Sequence, residues 1–274
     1  MTSTPPSLAI IGGGNMGTAL IAGLIAGGVL AESIVVVEID DDKRNEVAKQ
    51  FGVRTSATII SCGGAIVAVK PQSVVDVCTQ LRKVGVQRVV SIAAGISLAT
   101  LEHALGADIA AIRAMPNTPA LVAEGVTGLA AGASCSEADI EWAESMLAAV
   151  GIVVRVSEDQ IDAVTAVSGS GPGYLFLVAE ALIDAGVAQG LAPDVAQTLV
   201  KQLFRGSGIL LAESPETAST LRERVTSPNG TTAAGLLVLE TAQIRQILDQ
   251  AVAAAAARSR EMGASGFGRS RENN

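Results

Sequence analysis

The feature that most constrains the fold is a glycine-rich turn near the beginning of the sequence. A short apolar run, residues 8–11, leads into three glycines at the spacing G-x-G-x-x-G, and a segment with helical periodicity follows. In a strand–turn–helix unit the first glycine permits the tight turn, the second lets a pyrophosphate approach the backbone, and the third allows close helix–strand packing. We therefore predict a dinucleotide site here, with a purely structural glycine turn as the alternative. The predicted cofactor residues of the turn are Gly12, Gly14, Asn15, Met16 and Gly17.

A second apolar run ends on an acidic residue. Glu38 lies 21 residues after Gly17, where a carboxylate can accept a hydrogen bond from the 2′-hydroxyl of the adenosine ribose. The acidic cluster at 40–42 disfavours a 2′-phosphate, although Lys43 and Arg44 follow it and could reach one. The sequence therefore leans towards NADH and leaves NADPH open. An acid-biased helix start explains the same residues without any ligand.

Apolar strands and helical segments alternate through the first half of the chain. Further strands are predicted at 64–71, 88–95, 108–115, 126–131 and 152–156. Such alternation is typical of an α/β fold with a Rossmann-type, doubly wound, mostly parallel sheet. Ligands of these sheets bind outside the carboxyl ends of the strands. The residues predicted to face the cofactor at that edge are Ala68, Val69, Lys70, Pro71, Ala93, Ala94, Gly95 and Asn117.

The composition argues against several classes of partner. A net charge of -8 does not suit a nucleic-acid groove or an anionic membrane surface, both of which attract clustered Lys and Arg. Three cysteines without CxxC spacing indicate free thiols in a reducing compartment, and a single histidine, His103, gives no case for zinc. The apolar stretch 19–31 is too short for a membrane span, and residues 1–7 do not resemble a signal peptide. We therefore expect a cytoplasmic protein that acts on small molecules without a bound metal.

Strand signals stop after residue 156, and Ala- and Leu-rich helical segments follow. A capping-box pattern at 157–160 opens this region, and a glycine-rich break at 168–173 interrupts it. Apolar helices of this kind would leave much uncovered surface in a monomer, so we expect a homodimer through this region. The predicted organisation is a dinucleotide-binding domain at 1–157, an all-helical dimerisation and substrate domain at 158–263, and a disordered tail at 264–274.

A hydroxyl-rich turn, VTSPNGTT at 225–232, precedes one of the predicted helices. Pro228 fixes the turn, Asn229 tolerates a positive φ, and the amides at 230–232 are expected to be the free N–H groups of a helix start. Such amides favour an anion, for example a carboxylate, although an ordinary helix cap has a similar sequence. The nucleotide-binding motif calls for a substrate site elsewhere in the chain, which favours the functional interpretation of this turn.

Three segments together resemble the pyrroline-5-carboxylate reductase family, which carries out the last step of proline synthesis. They are RAMPNTPA at 113–120, AVSGSGP at 166–172 and VTSPNGTT at 225–232. With the glycine motif and AVKP at 68–71 they follow the order of the family over residues 8–262, and the combination is specific where no single segment is. Two positions depart from the family pattern, because Asn229 replaces a usual Gly and Gly173 replaces a usual Ala.

The resemblance implies a Rossmann domain followed by a helical dimerisation domain, homodimers that assemble into larger homo-oligomers, and an active site shared between subunits. It implies reduction of 1-pyrroline-5-carboxylate to L-proline by hydride transfer from NADPH or NADH. The substrate-binding residues that it implies are Ser227, Gly230, Thr231 and Thr232. Of these, Ser227 and Thr232 are the implied catalytic residues, with the Thr232 hydroxyl near the imine nitrogen.

The chemistry of a cyclic imine also explains which residues are missing. An iminium ion arrives already protonated, so hydride transfer to it needs positioning more than a strong acid. A β-hydroxyacid-type dehydrogenase shares the two-domain layout but requires a Lys on the first long helix after the sheet, and 161–188 contains none. A regulator that binds NAD(H) without chemistry stays open on the sequence alone.

Overall fold

A computed structural model describes residues 7–264 of the chain. The chain divides into two compact units. Among the described residues, the first unit comprises 7–170 and 255–264, whereas the second unit is Gly171–Ala254. The tail expected at 264–274 lies outside the described residues except for Ala264. The domain boundary expected after residue 157 rests on sequence pattern and stays a prediction.

Within the described part of the first unit, eight strands form one sheet. They are β1 (Leu8–Ile11), β2 (Ile34–Val37), β3 (Arg54–Ser56), β4 (Gly64–Val67), β5 (Arg88–Ser91), β6 (Ala110–Met115), β7 (Gly125–Ala131) and β8 (Gly151–Arg155). Their order is β3-β2-β1-β4-β5-β6-β7-β8, and every neighbouring pair is parallel except β6 and β7. The prediction of a doubly wound, mostly parallel sheet is confirmed. The sequence analysis did not identify β3, because its three residues, Arg-Thr-Ser, carry no apolar signal.

Helices cover both faces of this sheet. They are α1 (Asn15–Ala26), α2 (Asp41–Phe51), α3 (Val74–Lys83), α4 (Leu98–Leu105), α5 (Glu137–Leu147) and the short α6 (Ile161–Val164). Side chains alternate along a strand, so Ala9 and Ile11 of β1 join the core beneath α3 and α4, while Leu8 and Ile10 join the core beneath α1, α2 and α5. The three layers leave the carboxyl ends of β1 to β6 as one open edge, since β7 and β8 run in the opposite direction.

The break predicted at 168–173 is a π-helical turn followed by a new helix. The turn spans Thr165–Gly169, and α7 begins at Gly171. The second unit consists of α7 (Gly171–Ala188), α8 (Pro193–Glu213), α9 (Ala218–Arg224), α10 (Thr231–Thr241) and the first half of α11 (Ile244–Ala264). The helical prediction for this region is confirmed.

The helices of the second unit expose many large apolar side chains in the single chain. Phe176, Leu177, Leu237 and Val238 are each more than 60% exposed. The helical run Glu158–Ala188 is also long and apolar enough to cross a membrane, by length and composition alone, with 6% of its most apolar window buried. One such run is weak evidence for a membrane span, since a helix that packs against another subunit has the same composition.

Candidate active site

The glycine turn follows β1 at the carboxyl edge of the sheet. Gly12 has a φ of +111°, and a Cβ there would lie 2.7 Å from the carbonyl oxygen of Ala68. A Cβ at Gly17 would collide with the carbonyl oxygen of Gly12, so helix α1 can approach the strand only without a side chain. Gly14 is different, because it is exposed and no atom lies within 4 Å of its Cβ position. Two glycines therefore close the turn, and the third faces open space.

A cleft of about 480 Å³ opens beside this turn. It lies where the strand order reverses between β1 and β4, which is the ligand position of doubly wound sheets. The predicted cofactor residues that line it are Gly12, Gly14, Glu38, Ala68, Val69 and Lys70. The structure therefore brings together residues from the ends of β1, β2 and β4 around one cleft.

Glu38 is held in place by backbone donors at the end of β2. Its carboxylate accepts from the amide of Gly13 at 2.9 Å and from the amide of Asp40 at 3.0 Å. Arg44 is engaged as well, because its guanidinium donates to the carbonyl of Glu38 at 2.8 Å and pairs with Asp41. Of the two basic residues Lys43 and Arg44, Lys43 is the one that lines the cleft.

The remaining predicted residues of the turn and of the β4 edge have distinct surroundings. Asn15 is exposed at the first position of α1, while Met16 packs partly into the core beneath that helix. Pro71 begins a short 3-10 turn that leads into α3. After β5, Ala93 and Gly95 are buried, and Gly95 takes a φ of +73°. Their contact with a cofactor stays a prediction.

Asn117 is buried and both ends of its amide bond to the protein. Its Oδ1 accepts from the amide of Val126 at 2.9 Å, and its Nδ2 donates to the carbonyl of Ser168 at 3.1 Å. The side chain therefore ties the loop after β6 to β7 and to the π-helical turn. Asn117 therefore has a structural role, in addition to the contact with the cofactor that the sequence predicts.

A partly buried ion pair that was not predicted from the sequence fixes the start of α4. The Arg113 guanidinium lies 3.2 Å from Glu158, and the same carboxylate oxygen accepts from the amide of Leu98 at 2.5 Å. Arg113 is almost completely buried in β6. An Arg inside an apolar strand was the available signal, because a buried charge needs a partner.

Other reactive side chains lie outside the site. His103 is exposed on α4, and among residues 7–264 the structure has no group of three or more His, Cys, Asp or Glu that could hold a metal. Burial raises the pKa of Cys62 to about 11 and that of Cys78 to about 12. Both thiols are therefore protonated and unreactive near neutral pH.

The turn at 225–232 has the geometry of an open helix start within the second unit. Asn229 takes a φ of +60°, the left-handed conformation that Asn tolerates. Gly230 is the N-cap of α10 and offers no side chain to the first-turn amides, and a Cβ there would collide with Ser227 Oγ. Thr231 and Thr232 are exposed. The predicted substrate residues thus surround an uncapped helix N-terminus, which attracts anions.

Ion pairs brace the elements on either side of this turn. Arg224 at the end of α9 pairs with Glu216, and Arg245 at the start of α11 binds Glu240 at the end of α10 through contacts of 2.7–3.1 Å. The hydrogen bonds from Arg245 hold the pKa of Glu240 below its ordinary value. The sequence analysis did not pair these charges, because the pairing depends on the path of the loops.

Comparisons with known proteins agree with both units. The family model for pyrroline-5-carboxylate reductase dimerisation matches residues 158–262, and a model described as NADP oxidoreductase, coenzyme F420-dependent, matches residues 7–95. The pyrroline-5-carboxylate reductase of Mycobacterium tuberculosis is 41% identical, over 93% of this chain and 96% of that protein. The pyrroline-5-carboxylate reductase of Pseudomonas aeruginosa is 42% identical, over 94% of this chain and 97% of that protein.

Solved structures give the same result. A pyrroline-5-carboxylate reductase from Coxiella burnetii superposes with a TM-score of 0.89 at 36% identity, covering 94% of this chain and 99% of that one. A Plasmodium falciparum pyrroline carboxylate reductase with NADP bound gives a TM-score of 0.81 at 29% identity over 94% and 98%. The resemblance inferred from the sequence motifs is confirmed, and the chain belongs to the pyrroline-5-carboxylate reductase family.

Proposed function

We propose that this protein reduces 1-pyrroline-5-carboxylate to L-proline with a reduced nicotinamide dinucleotide, as the last step of proline biosynthesis. The observation that carries the proposal is the presence, in one chain of this family, of a dinucleotide cleft and an uncapped helix start suited to a carboxylate. The cleft suits the nicotinamide dinucleotide, and the helix start suits the carboxylate of the imine substrate.

The substrate carboxylate is proposed to bind at the start of α10. Gly230 leaves the first amides of the helix open, and the exposed hydroxyls of Thr231 and Thr232 stand beside them. Ser227, whose hydroxyl lies against Gly230, completes this group. A helix N-terminus and its free N–H groups stabilise an anion without a basic side chain. The small ring can thus be oriented by its acid group.

Catalysis is proposed to depend on positioning. When bound, the cofactor supplies a hydride to the imine carbon, and the already protonated iminium nitrogen takes up the electron pair of the double bond. The Thr232 hydroxyl holds that nitrogen, and Ser227 fixes the turn that presents it. Because no group of this chain must donate a proton to the nitrogen during that step, the exposed position of His103 is consistent with this mechanism.

Replacement of the Thr232 hydroxyl tests this assignment. We expect Thr232→Ala to lower kcat by about 10- to 100-fold, the effect of losing one positioned hydrogen bond near the reacting atoms. Thr198→Ala is the matched control, since Thr198 bonds only within α8 and should leave kcat unchanged. Equal kcat values in the two variants would remove Thr232 from the mechanism.

The cleft is proposed to accept either nicotinamide dinucleotide, with Glu38 shifting the preference towards NADH. The carboxylate, held by the amides of Gly13 and Asp40, can accept from a ribose 2′-hydroxyl and repels a 2′-phosphate. Lys43 is the nearby cation that offsets this repulsion. The NADP bound to the Plasmodium relative belongs to that protein and leaves the preference here to experiment.

One spectrophotometric assay tests both the reaction and the choice of cofactor. The purified protein is mixed with 1-pyrroline-5-carboxylate and either NADH or NADPH, and the loss of reduced-nicotinamide absorbance is followed. We expect oxidation of both, with the higher kcat/KM for NADH. A regulator without chemistry would bind the cofactor and show no oxidation, which would overturn the proposed function.

We also propose a homodimer formed through the helical unit, assembled into a larger homo-oligomer in the cytoplasm. The match of 158–262 to a dimerisation model and the exposed apolar side chains of α7 and α10 support it. The run Glu158–Ala188 is then covered by a second subunit, not by lipid. The acidic charge of the chain is consistent with small-molecule partners and with the absence of nucleic-acid or membrane partners.

A further inference from the structure

The end of α11 packs directly against the loop that follows β5. Gly95 is buried in this loop, and a Cβ at its position would lie 3.2 Å from Met262 Cβ and 3.6 Å from the amide nitrogen of Gly263. Met262 Cβ would therefore be in tight contact with a side chain at position 95, and the backbone at 262–263 would be in van der Waals contact with it. Gly95 also has a φ of +73°, so the loop is held in a conformation that other residues rarely adopt.

A partly buried hydrogen bond holds the same end of α11 in place. Ser259 is 7% exposed, and its hydroxyl donates to Asp162 Oδ1 at 2.5 Å. Asp162 lies in α6, one helical turn after Glu158, whose carboxylate accepts from the amide of Leu98 at the start of α4. The end of α11, helix α6 and the segment from Gly95 to Leu98 are thus linked by direct contacts within the first unit.

The position of the loop in the sheet relates these contacts to the cofactor. Glu38, at the end of β2, marks the adenosine side of the cleft, and β5 lies on the other side of the switch point between β1 and β4. A dinucleotide that crosses the switch point therefore extends its nicotinamide end towards the loop after β5. Residues 93–95 lie in that loop, between the end of β5 at Ser91 and the start of α4 at Leu98.

We propose that the last turns of α11, residues 257–263, position the loop 93–95 for the nicotinamide end of the cofactor. Ser259 and Met262 are the positioning residues: Ser259 fixes the helix through Asp162, and Met262 supports Gly95. The proposal rests on the proposed function for the identity of the cofactor. It predicts that loss of this contact weakens binding of the nicotinamide half of the dinucleotide and leaves binding of the adenosine half unchanged.

The test compares the affinities of two ligands by calorimetry. NADH is one, and ADP-ribose, the same skeleton without nicotinamide, is the other. We expect Ser259→Ala to lower the affinity for NADH by about 3- to 10-fold, because one partly buried hydrogen bond is lost. The affinity for ADP-ribose should stay within about 2-fold of that of the unaltered protein. Asp162→Asn, which keeps an oxygen acceptor for Ser259, should bind NADH like the unaltered protein. A double variant, Ser259→Ala with Asp162→Ala, should bind NADH no more weakly than the weaker-binding of its two single variants, Ser259→Ala and Asp162→Ala.

Two shortened chains extend the comparison. A chain that ends after Arg258 lacks the whole contact and should lose more NADH affinity than Ser259→Ala, whereas a chain that ends after Ala264 keeps it and should bind normally. The proposal is overturned if Ser259→Ala lowers the affinities for NADH and ADP-ribose equally, or if it lowers neither affinity. It is also overturned if the chain that ends after Ala264 loses affinity for NADH. Imine-dependent NADH oxidation by the full chain is measured separately, so failure of the proposed function is recognised independently.

Discussion

Gly12, Gly14 and Gly17 belong to one turn, yet the surroundings of their Cα atoms differ. The first faces the carbonyl of Ala68 and the third faces the carbonyl of Gly12, so protein atoms exclude a side chain at both. Gly14 has no such neighbour, and its φ of -76° is accessible to any residue. The fold around Gly14 leaves room for a side chain, so we predict that the approach of a pyrophosphate is what requires a glycine there.

Alanine substitutions separate these two roles. Gly17→Ala should destabilise the folded protein by about 1–3 kcal/mol, because the new methyl group collides with the backbone of the turn. Gly14→Ala should leave the thermal midpoint unchanged and lower the affinity for the cofactor about 10-fold, because the methyl group would lie where the pyrophosphate is expected to approach. Thermal unfolding and cofactor titration of both variants check this. A stability loss in Gly14→Ala equal to that in Gly17→Ala would contradict it.

At the scale of elements, periodicity predicted most of what the structure contains. The apolar runs identified β1, β2 and β4 to β8. The capping box at Ser157 and the left-handed Asn229 also agree with the structure. These features are local, so a short stretch of sequence determines them.

Features that depend on tertiary contacts were not predicted. The polar strand β3 forms because β2 offers it a free edge, and the pairing of Arg113 with Glu158 joins residues 45 positions apart. The same is true of the bonds of Asn117 and of the packing of α11 on the loop after β5. The predicted site residues came from motifs, and the residues that support them became visible only in the fold.

The ion pair of Glu158 gives a prediction at this scale. Glu158→Ala should destabilise the protein by about 1–3 kcal/mol, since it leaves the buried Arg113 and the amide of Leu98 without their acceptor. Glu137→Ala, which removes an exposed partner of Arg155, is the control and should change stability little. Denaturant unfolding measures both. Similar midpoints for the two variants would show that the pair of Arg113 and Glu158 does not stabilise the start of α4.

For the whole molecule, the contrast between the two units is the main observation. The first unit buries its aliphatic residues in two cores on opposite faces of the sheet. The second unit leaves large apolar side chains in contact with solvent along α7, α8 and α10. Exposed apolar surface on this scale marks a protein interface. A second copy of the chain is the partner that the dimerisation model of the family supports.

A charged substitution on this surface tests the proposed dimer. Leu237 of α10 is 69% exposed, and Leu30 of the first unit is 66% exposed. We expect Leu237→Glu to sediment as a monomer, because a carboxylate at a buried interface has no partner, whereas Leu30→Glu should keep the assembly of the unaltered protein. Sedimentation velocity compares them. The dimer through the helical unit is contradicted if Leu237→Glu assembles normally.

The most direct test of the central claim follows the hydride itself. The protein is incubated with 1-pyrroline-5-carboxylate and NADH that carries deuterium at the transferable position of the nicotinamide, and the proline formed is analysed by mass spectrometry and NMR. The account predicts one deuterium per proline, at the ring carbon that was double-bonded to nitrogen. Unlabelled proline, or oxidation of the cofactor without formation of proline, would contradict it.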